Sequence, residues 1–408
     1  MKTLLQINLC VNCLSTGKIA EDIGKAAINA GWKSYVAGAI IGQNPSESEV
    51  IKIGSSNYIY LPYFESLIFD NHCMGRASRN ATHHLIAEIE RIKPDVIQLH
   101  TIHAYYLNLK VLFEYFASID TPIVWTLHDC WSFTGHCAHF DSVGCDKWKT
   151  HCESCPQLKE YPKSLGLIDN SSHNFNLKKK LFTALGDRLT LVPVSEWLAD
   201  LVRDSYFKNR NIVTINNGID LLKFKPTYKG FTEKFKFGNK HIILGVASSW
   251  GEHKGLGDFF KLDEIIDHEK FQIVLVGLKE KQVATLPKSI IGITATENIE
   301  QLSELYTIAT VFVNPTYQDT YPTVNLESMA CGTPVITYNT GGSPESVGVG
   351  VGIVVDKGDI IGLKKAVEHF ASISKTPIQQ ECRAKAVEFF DKQKNFLKYI
   401  SLYEELAN

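Results

Sequence analysis

The sequence predicts an α/β protein made of two Rossmann-like halves, and three observations predict it. The chain has 408 residues, enough for two domains with a core each. Residues 4–11 are largely apolar and lead into Asn12-Cys13-Leu14-Ser15-Thr16-Gly17. Residues 18–30 then carry apolar side chains at helical spacing (Ile19, Ile23, Ala26, Ala27), stop at Gly31, and give way to a second strand at 34–37. Strand, glycine-containing loop, helix, strand is how a Rossmann-like half begins. The third observation is that the pattern recurs late in the chain, where residues 311–345 read strand, loop, helix, strand, turn.

In chain order, residues 81–92 have helical spacing, and 94–100 form a buried strand with a polar end. Residues 105–117 read as a helix and 122–127 as a strand that ends in His128-Asp129. The carboxyl end of a parallel strand is where α/β sheets bind ligands, so His128 is a candidate for ligand contact. The plain alternative is a histidine that bonds a carbonyl and shapes its loop. His100 and His103 also follow a strand and are weaker candidates.

Residues 176–184 read as a helix carrying Lys178-Lys179-Lys180 among Phe175, Leu177, Leu181 and Phe182. Such a run is either a solvated helix face or a basic patch against a membrane. Residues 190–194 are a strand, Ser195 caps a helix, and 212–215 lead to the Asn217-Gly218 turn signal. In the second half, 242–247 and 273–277 are strands. Lys254-Gly255 follows the first of these at a predicted helix start, where a cation and free backbone N–H groups suit a diphosphate.

The stretch 311–345 carries most of the chemistry. Its strand stops at Asn314-Pro315, Pro322 stands where a helix can begin, and Cys331-Gly332 ends that helix. The loop Asp319-Thr320-Tyr321-Pro322-Thr323 therefore aims a helix N-terminus, continued by Val324, out from a buried strand. Glu327 falls on the second turn, where a carboxylate suits a ribose diol; Asp319 either serves the ligand or caps the helix.

Asp319, seven residues, Glu327 and then Ser328-Met329-Ala330-Cys331-Gly332-Thr333-Pro334-Val335 resemble the nucleotide-sugar signature of the retaining glycosyltransferases of family 4, which have the GT-B fold. The first acidic position is usually Glu, so Asp319 keeps the charge with a shorter reach. The resemblance implies two Rossmann-like domains facing a cleft, with a C-terminal helix crossing back to the first. On that basis residues 1–216 form an acceptor-side domain completed by a helix within 392–408, and 217–391 form the nucleotide-sugar domain. It further implies that Lys254 and the N–H groups of Thr320, Tyr321, Thr323 and Val324 stabilise the leaving diphosphate. Glu327 would hold the ribose, Asp319 and His128 would orient the sugar, and Gly17 would lie near the donor phosphates. Residues 292–298 correspond to the nucleobase region. Ser249 stands where the family usually has a second cation, an arginine. No cofactor is required for the chemistry this implies. The donor would be a UDP- or GDP-type sugar and the acceptor a glycan or lipid-linked hydroxyl, in polysaccharide biosynthesis. A sugar-nucleotide-binding protein without transferase activity and a GT-B epimerase are the alternatives.

Ten cysteines are present, and Cys137, Cys145, Cys152 and Cys155 fall in a Cys-rich segment, 130–157, with little periodicity. Their C-x7-C-x6-C-x2-C spacing fits a closed structural zinc site, or four free buried thiols. Clustered cysteines in a cytoplasmic enzyme suggest metal or redox chemistry more than a disulfide framework. Net charge is −2 and no basic–aromatic stripe stands out, which argues against a nucleic-acid partner. No apolar run is long enough to span a bilayer and the N-terminus does not read as a signal peptide, so the expected location is cytoplasmic, with peripheral contact to the inner membrane face as the variant.

Overall fold

Two parallel sheets organise the chain. A computed structural model describes residues 1–55, 58–72, 74–103, 105–348 and 350–408. The first sheet has seven strands in the spatial order Glu49–Lys52, Lys33–Gly38, Thr3–Ile7, Val96–Leu99, Ile123–Leu127, Leu189–Pro193, Asn211–Ile212. The second has six, in the order Ile290–Ile293, Phe271–Val276, His241–Val246, Val311–Asn314, Val335–Tyr338, Gly352–Val355. Every pairing within both sheets is parallel. Counted along the chain, both begin 3-2-1-4-5-6, the doubly wound order. Strand order reverses between the first and fourth strands, so the loops leaving those two strands open a crevice at the carboxyl edge of each sheet.

The central strands are covered on both faces and accordingly read as continuous apolar runs; Val96–Leu99 and Ile123–Leu127 are buried at every residue. Their two polar members, Gln98 and Thr126, are bonded to each other at 2.9 Å. The chain divides into two compact units, one made of Met1–Asn216 with Phe396–Asn408 and the other of Asn217–Asn395. The helix Lys392–Leu406 explains why the last residues belong with the first unit. It buries Phe396, Tyr399 and Tyr403 against Leu4, Ile23, Val96 and Val124. Tyr403 donates to Gln98 Oε1 at 2.5 Å, and Thr126 Oγ1 donates to Tyr399 at 3.2 Å, so the buried polar groups are paired.

Several elements differ from the sequence expectation. The first strand ends at Ile7, and Cys10–Val11 instead pairs with Ile40–Ile41. The first helix spans Leu14–Asn29, so Gly17 lies within its first turn and not in a loop. A Cβ there would stand 2.5 Å from the Cys10 carbonyl, which makes close packing of helix on strand the physical demand on that glycine. The helix expected from 105 starts at Leu109, because Asn108 caps it by accepting from Val111 N at 3.0 Å. The lysine-bearing helix is longer than expected, Ser171–Thr183, and Lys178 in it is fully buried, so the three lysines do not form one solvated basic face. The helix Tyr60–Phe69 has no counterpart in the sequence expectation.

Candidate functional site

In the second unit, the site grows from the two strands at the order reversal. After His241–Val246 the chain makes a 3₁₀ turn, Glu252–Lys254, before the helix Leu256–Ile265. Gly255 joins them with φ +72°, and a Cβ there would lie 2.2 Å from the Pro315 carbonyl. Only glycine lets this turn sit against the loop that follows Val311–Asn314. The two loops are tied where Tyr317 N donates to His253 O at 2.8 Å.

That packing brings Lys254 Nζ to 2.7 Å from Asp319 Oδ2. Asp319 Oδ1 accepts from Tyr321 N at 3.3 Å, a local turn and not a helix cap. The Asp319 carbonyl accepts from Gly342 N at 3.2 Å, and a Cβ on Gly341 would meet it at 1.9 Å, which is what the Gly341-Gly342 turn is for. The helix Thr323–Ala330 begins after Pro322 with no side-chain cap, leaving its first turn dependent on other acceptors. Thr320 and Tyr321 are buried at this entrance, and Thr323 and Val324 are half-buried in the first turn. Glu327, also half-buried, accepts at Oε2 from the Tyr306 hydroxyl at 2.9 Å. Tyr306 comes from the helix Ile299–Ile308; burial and the Glu327 carboxylate keep its proton on, so it acts as a fixed donor. Ser249 is exposed on the first loop. The expected nucleobase region is the end of the Ile290–Ile293 strand and the turn leading to Asn298, which caps the next helix. An ammonium, an uncapped helix start and a braced carboxylate within one crevice can hold an anion and a diol together.

In the first unit, His128 leaves the Ile123–Leu127 strand half-buried. Its position is set by a chain of hydrogen bonds whose directions can be assigned. Gln6 Nε2 donates to Ala20 O at 2.8 Å, which leaves Gln6 Oε1 to accept from His100 Nε2 at 3.1 Å. His100 Nδ1 then accepts from His128 Nε2 at 3.3 Å, with the rings stacked 5.6 Å apart. Neutral His128 therefore carries its proton on Nε2 and presents Nδ1 as an acceptor. Burial pushes its pKa down to about 4. Next to it, burial would raise Asp129, but His103 at 2.9 Å holds it down at about 2.

The four cysteines of the loop line one cavity together with His136 and Trp148. Cys137 and Cys155 share a thiol hydrogen bond, which holds Cys155 down at about 7. Gly135 N donates to Cys152 Sγ at 3.2 Å, yet burial pushes that thiol up to about 11. Among the described residues, the group whose ligand atoms all lie within 4.8 Å of one another is Asp70, His72 and His136, and not the cysteines. Elsewhere the sulfurs of Cys10 and Cys13 stand in contact.

The residues that the sequence does not reveal are the ones that hold others: Tyr306 behind Glu327, Asp70 behind His136, and Lys178. His100, a weak ligand candidate by sequence, stands behind His128. Lys178 donates to Trp131 O at 2.7 Å and lies 3.8 Å from the Trp131 ring centre. Burial pushes it down to about 7 against the pull of Cys152 and Cys137.

Residues 17–222 match the family described as Glycosyltransferase Family 4, and 230–387 match Glycosyl transferases group 1. The putative colanic acid biosynthesis glycosyl transferase WcaC of Escherichia coli is 39% identical over 136 residues, 31% of this chain and 32% of that protein. The alignments span between about a third and a half of the length of the first curated relatives. Sucrose-phosphate synthase from Thermosynechococcus elongatus superposes with a TM-score of 0.74 at 17% identity, covering 100% of this chain and 99% of that one. Anabaena HepE in complex with UDP-glucose does so at 0.68 and 14%, covering 99% and 100%.

Proposed function

Because the chain belongs to glycosyltransferase family 4 and has the GT-B fold, we propose that it moves a sugar from a nucleoside diphosphate sugar to a hydroxyl of a glycan or lipid-linked acceptor, with retention, in the assembly of a cell-surface polysaccharide. One arrangement carries this reading: Lys254 paired with Asp319 at the mouth of an uncapped helix whose second turn presents Glu327. The leaving diphosphate develops charge, and preformed donors lower its energy. Lys254 and the amides of Thr320, Tyr321, Thr323 and Val324 supply those donors, with Ser249 contributing at most a neutral hydrogen bond. Glu327 accepts from the ribose diol, braced by Tyr306. Asp319 releases Lys254 to phosphate and turns to a sugar hydroxyl, and His128 helps orient the sugar. Gly17 keeps the first helix close to its strand and stays a donor-side candidate through the family resemblance. No metal takes part in this chemistry; the cysteine loop holds a zinc ion that is structural.

UDP is the first base to test, since HepE was solved with UDP-glucose. GDP is the second. Among the described residues no helix is long and apolar enough to cross a membrane. The helix Tyr60–Phe69 nonetheless exposes Tyr60, Leu61, Phe64, Ile68 and Phe69, and Leu165 and Leu167 are exposed as well. This apolar surface, more than the lysine run, supports a lipid-linked acceptor and work at the cytoplasmic face of a membrane.

The test is a thermal-shift screen against UDP, GDP, ADP, CMP and their sugar conjugates. A ligand at 100 times its Kd adds about 2.7 kcal/mol. A single nucleotide class giving the shift, followed by sugar transfer to a glycan or lipid acceptor, is the expected result. Binding without transfer to any acceptor would favour a binding protein, and donor turnover without acceptor an epimerase.

A further inference from the structure

A surface tyrosine usually lays its ring on the protein and keeps its hydroxyl in water. Tyr161 is the other way round. Its hydroxyl lies 3.1 Å from His103 Nδ1, and His103 is 6% exposed, yet Tyr161 as a whole is 44% exposed. The polar tip is turned in and the ring makes up the exposed part.

The tip is held by a chain of hydrogen bonds whose directions can be assigned. Asp129 is ionised and accepts from Trp131 N at 2.9 Å and from His103 Nε2 at 2.9 Å. Neutral His103 thus carries its proton on Nε2 and accepts at Nδ1 from the Tyr161 hydroxyl. His103 is itself packed, its ring 5.0 Å from that of Trp131 and 5.5 Å from that of Tyr161. The Tyr161 backbone is tied as well. Its carbonyl accepts from Ala138 N at 3.2 Å, and Ala138 O accepts from Cys130 N at 2.9 Å, within the loop that follows His128. An exposed ring fixed at its tip and its backbone has already lost the rotamer freedom that a ligand would otherwise have to remove.

The place says what such a ring would meet. His103 and Asp129 line one cavity with His100, Thr101 and His128, at the carboxyl edge of the first sheet. A pyranose ring has an apolar C–H face and a rim of hydroxyls, so an aromatic ring beside polar groups complements it. A lipid chain is better served further along the same segment. Leu165 and Leu167 are exposed there, and Leu165 N donates to Leu67 O at 2.8 Å, against the helix Tyr60–Phe69.

Resting on the transferase reading above, we infer that Tyr161 determines acceptor specificity: the accepting sugar stacks on its ring. His103 and Asp129 are positioning residues that hold the ring beside the His128 crevice. The acceptor is then a saccharide, free or lipid-linked, and not a simple lipid alcohol.

The experiment follows initial-rate transfer by the full chain from the nucleotide sugar picked out by thermal shift. The acceptors are methyl and decyl glycosides of the common hexoses and N-acetylhexosamines, with decanol as the lipid alcohol. Tyr161→Leu keeps an apolar side chain and removes the aromatic face. It should raise the acceptor KM roughly tenfold or more with either aglycone, while the donor Kd from calorimetry is unchanged. Tyr161→Phe keeps the face, loses the anchor and should raise KM less. His103→Gln can still donate to Asp129 and accept from Tyr161, so it should lie closer to wild type than His103→Ala, a rescue that a merely space-filling histidine would not give. A wild-type acceptor KM in Tyr161→Leu overturns the inference and leaves the transferase standing. An effect confined to decyl glycosides, or wild-type transfer to decanol and to no glycoside, overturns it too. Donor binding with no transfer to any acceptor takes down the transferase reading and this inference with it. Should Tyr161→Leu lose the donor-induced thermal shift, saturation-transfer NMR on the wild-type chain decides. Saturation from aromatic protons should fall on one C–H face of the methyl glycoside, and uniform saturation would reject the stacking.

Discussion

Breaking the Lys254–Asp319 pair separates the catalytic contact proposed above from a structural one. Both side chains keep contact with solvent, 28% and 18% exposed, so the pair is close to the surface class of ion pair, worth about 0.2–1 kcal/mol to the fold. Lys254→Ala should therefore leave the unfolding midpoint within a few degrees of wild type. Its effect on transfer should be much larger, because a charge-assisted bond to a diphosphate is worth about 1.5–3 kcal/mol. At about 1.4 kcal/mol per decade, that is roughly a ten- to 150-fold loss in kcat/KM. If the bond tightens as the phosphate leaves, the loss sits in kcat as well as KM. Asp319→Asn keeps the shape and removes the charge that Lys254 otherwise pairs with. The two changes share a partner, so the double variant should lose less than the sum of the singles. The assay is initial-rate transfer from the donor identified by thermal shift, read as released nucleoside diphosphate. Additive losses would mean that the pair does not act as a unit, and unchanged kinetics in Lys254→Ala would refute the site.

Glu327→Ala should raise the donor Kd, and Tyr306→Phe, which removes only the bracing hydroxyl, should do so roughly tenfold or more, since a hydrogen bond to a carboxylate is worth about 1.5–3 kcal/mol; titration calorimetry with the nucleotide measures both, and equal Kd values would dismiss the brace. Burial holds His72 at about 3 and His128 at about 4, below the ordinary histidine value near 6.5. The unfolded chain then binds more protons than the folded one as pH falls from about 6.5 towards those values, so denaturant midpoints should drop from pH 7 to pH 5; a midpoint that rises over that range contradicts the burial. Lys178→Ala should cost about 2–4 kcal/mol of stability while Lys179→Ala stays within about 0.5, by chemical denaturation; equal effects would mean that Lys178 is not the inward member of the run.

The fold was legible because both halves announce themselves through strand–loop–helix order, and parallel strands buried on both faces cannot hide their apolar runs. What the sequence obscured is local. The Leu14 start of the first helix is hidden because Cys13 offers no cap and Leu14 takes φ +54°. The helix Tyr60–Phe69 is hidden because its apolar residues fall on all sides, so it has no stripe to count.

Residues that carry charge at a crevice were easier to single out than the residues that hold them. Lys254, Asp319 and Glu327 stand out because a charged side chain beside a helix start needs a reason. Tyr306, 21 positions before Glu327, has no local signal, since its role depends on two helices packing side by side. The lysine run shows the same limit from the other side. Three consecutive lysines look solvated because charge normally is, and only the position of Trp131 reveals that one of them is drawn inward. A buried ammonium is costly unless an anion answers it. On the zinc reading proposed above, the cysteine loop supplies that anion when a metal takes the thiol protons. Replacing Lys178 should therefore weaken zinc binding along with the fold, and zinc binding should in turn protect the wild-type chain more than a Lys178→Met chain in the same denaturant series. Equal protection of both would separate the lysine from the metal.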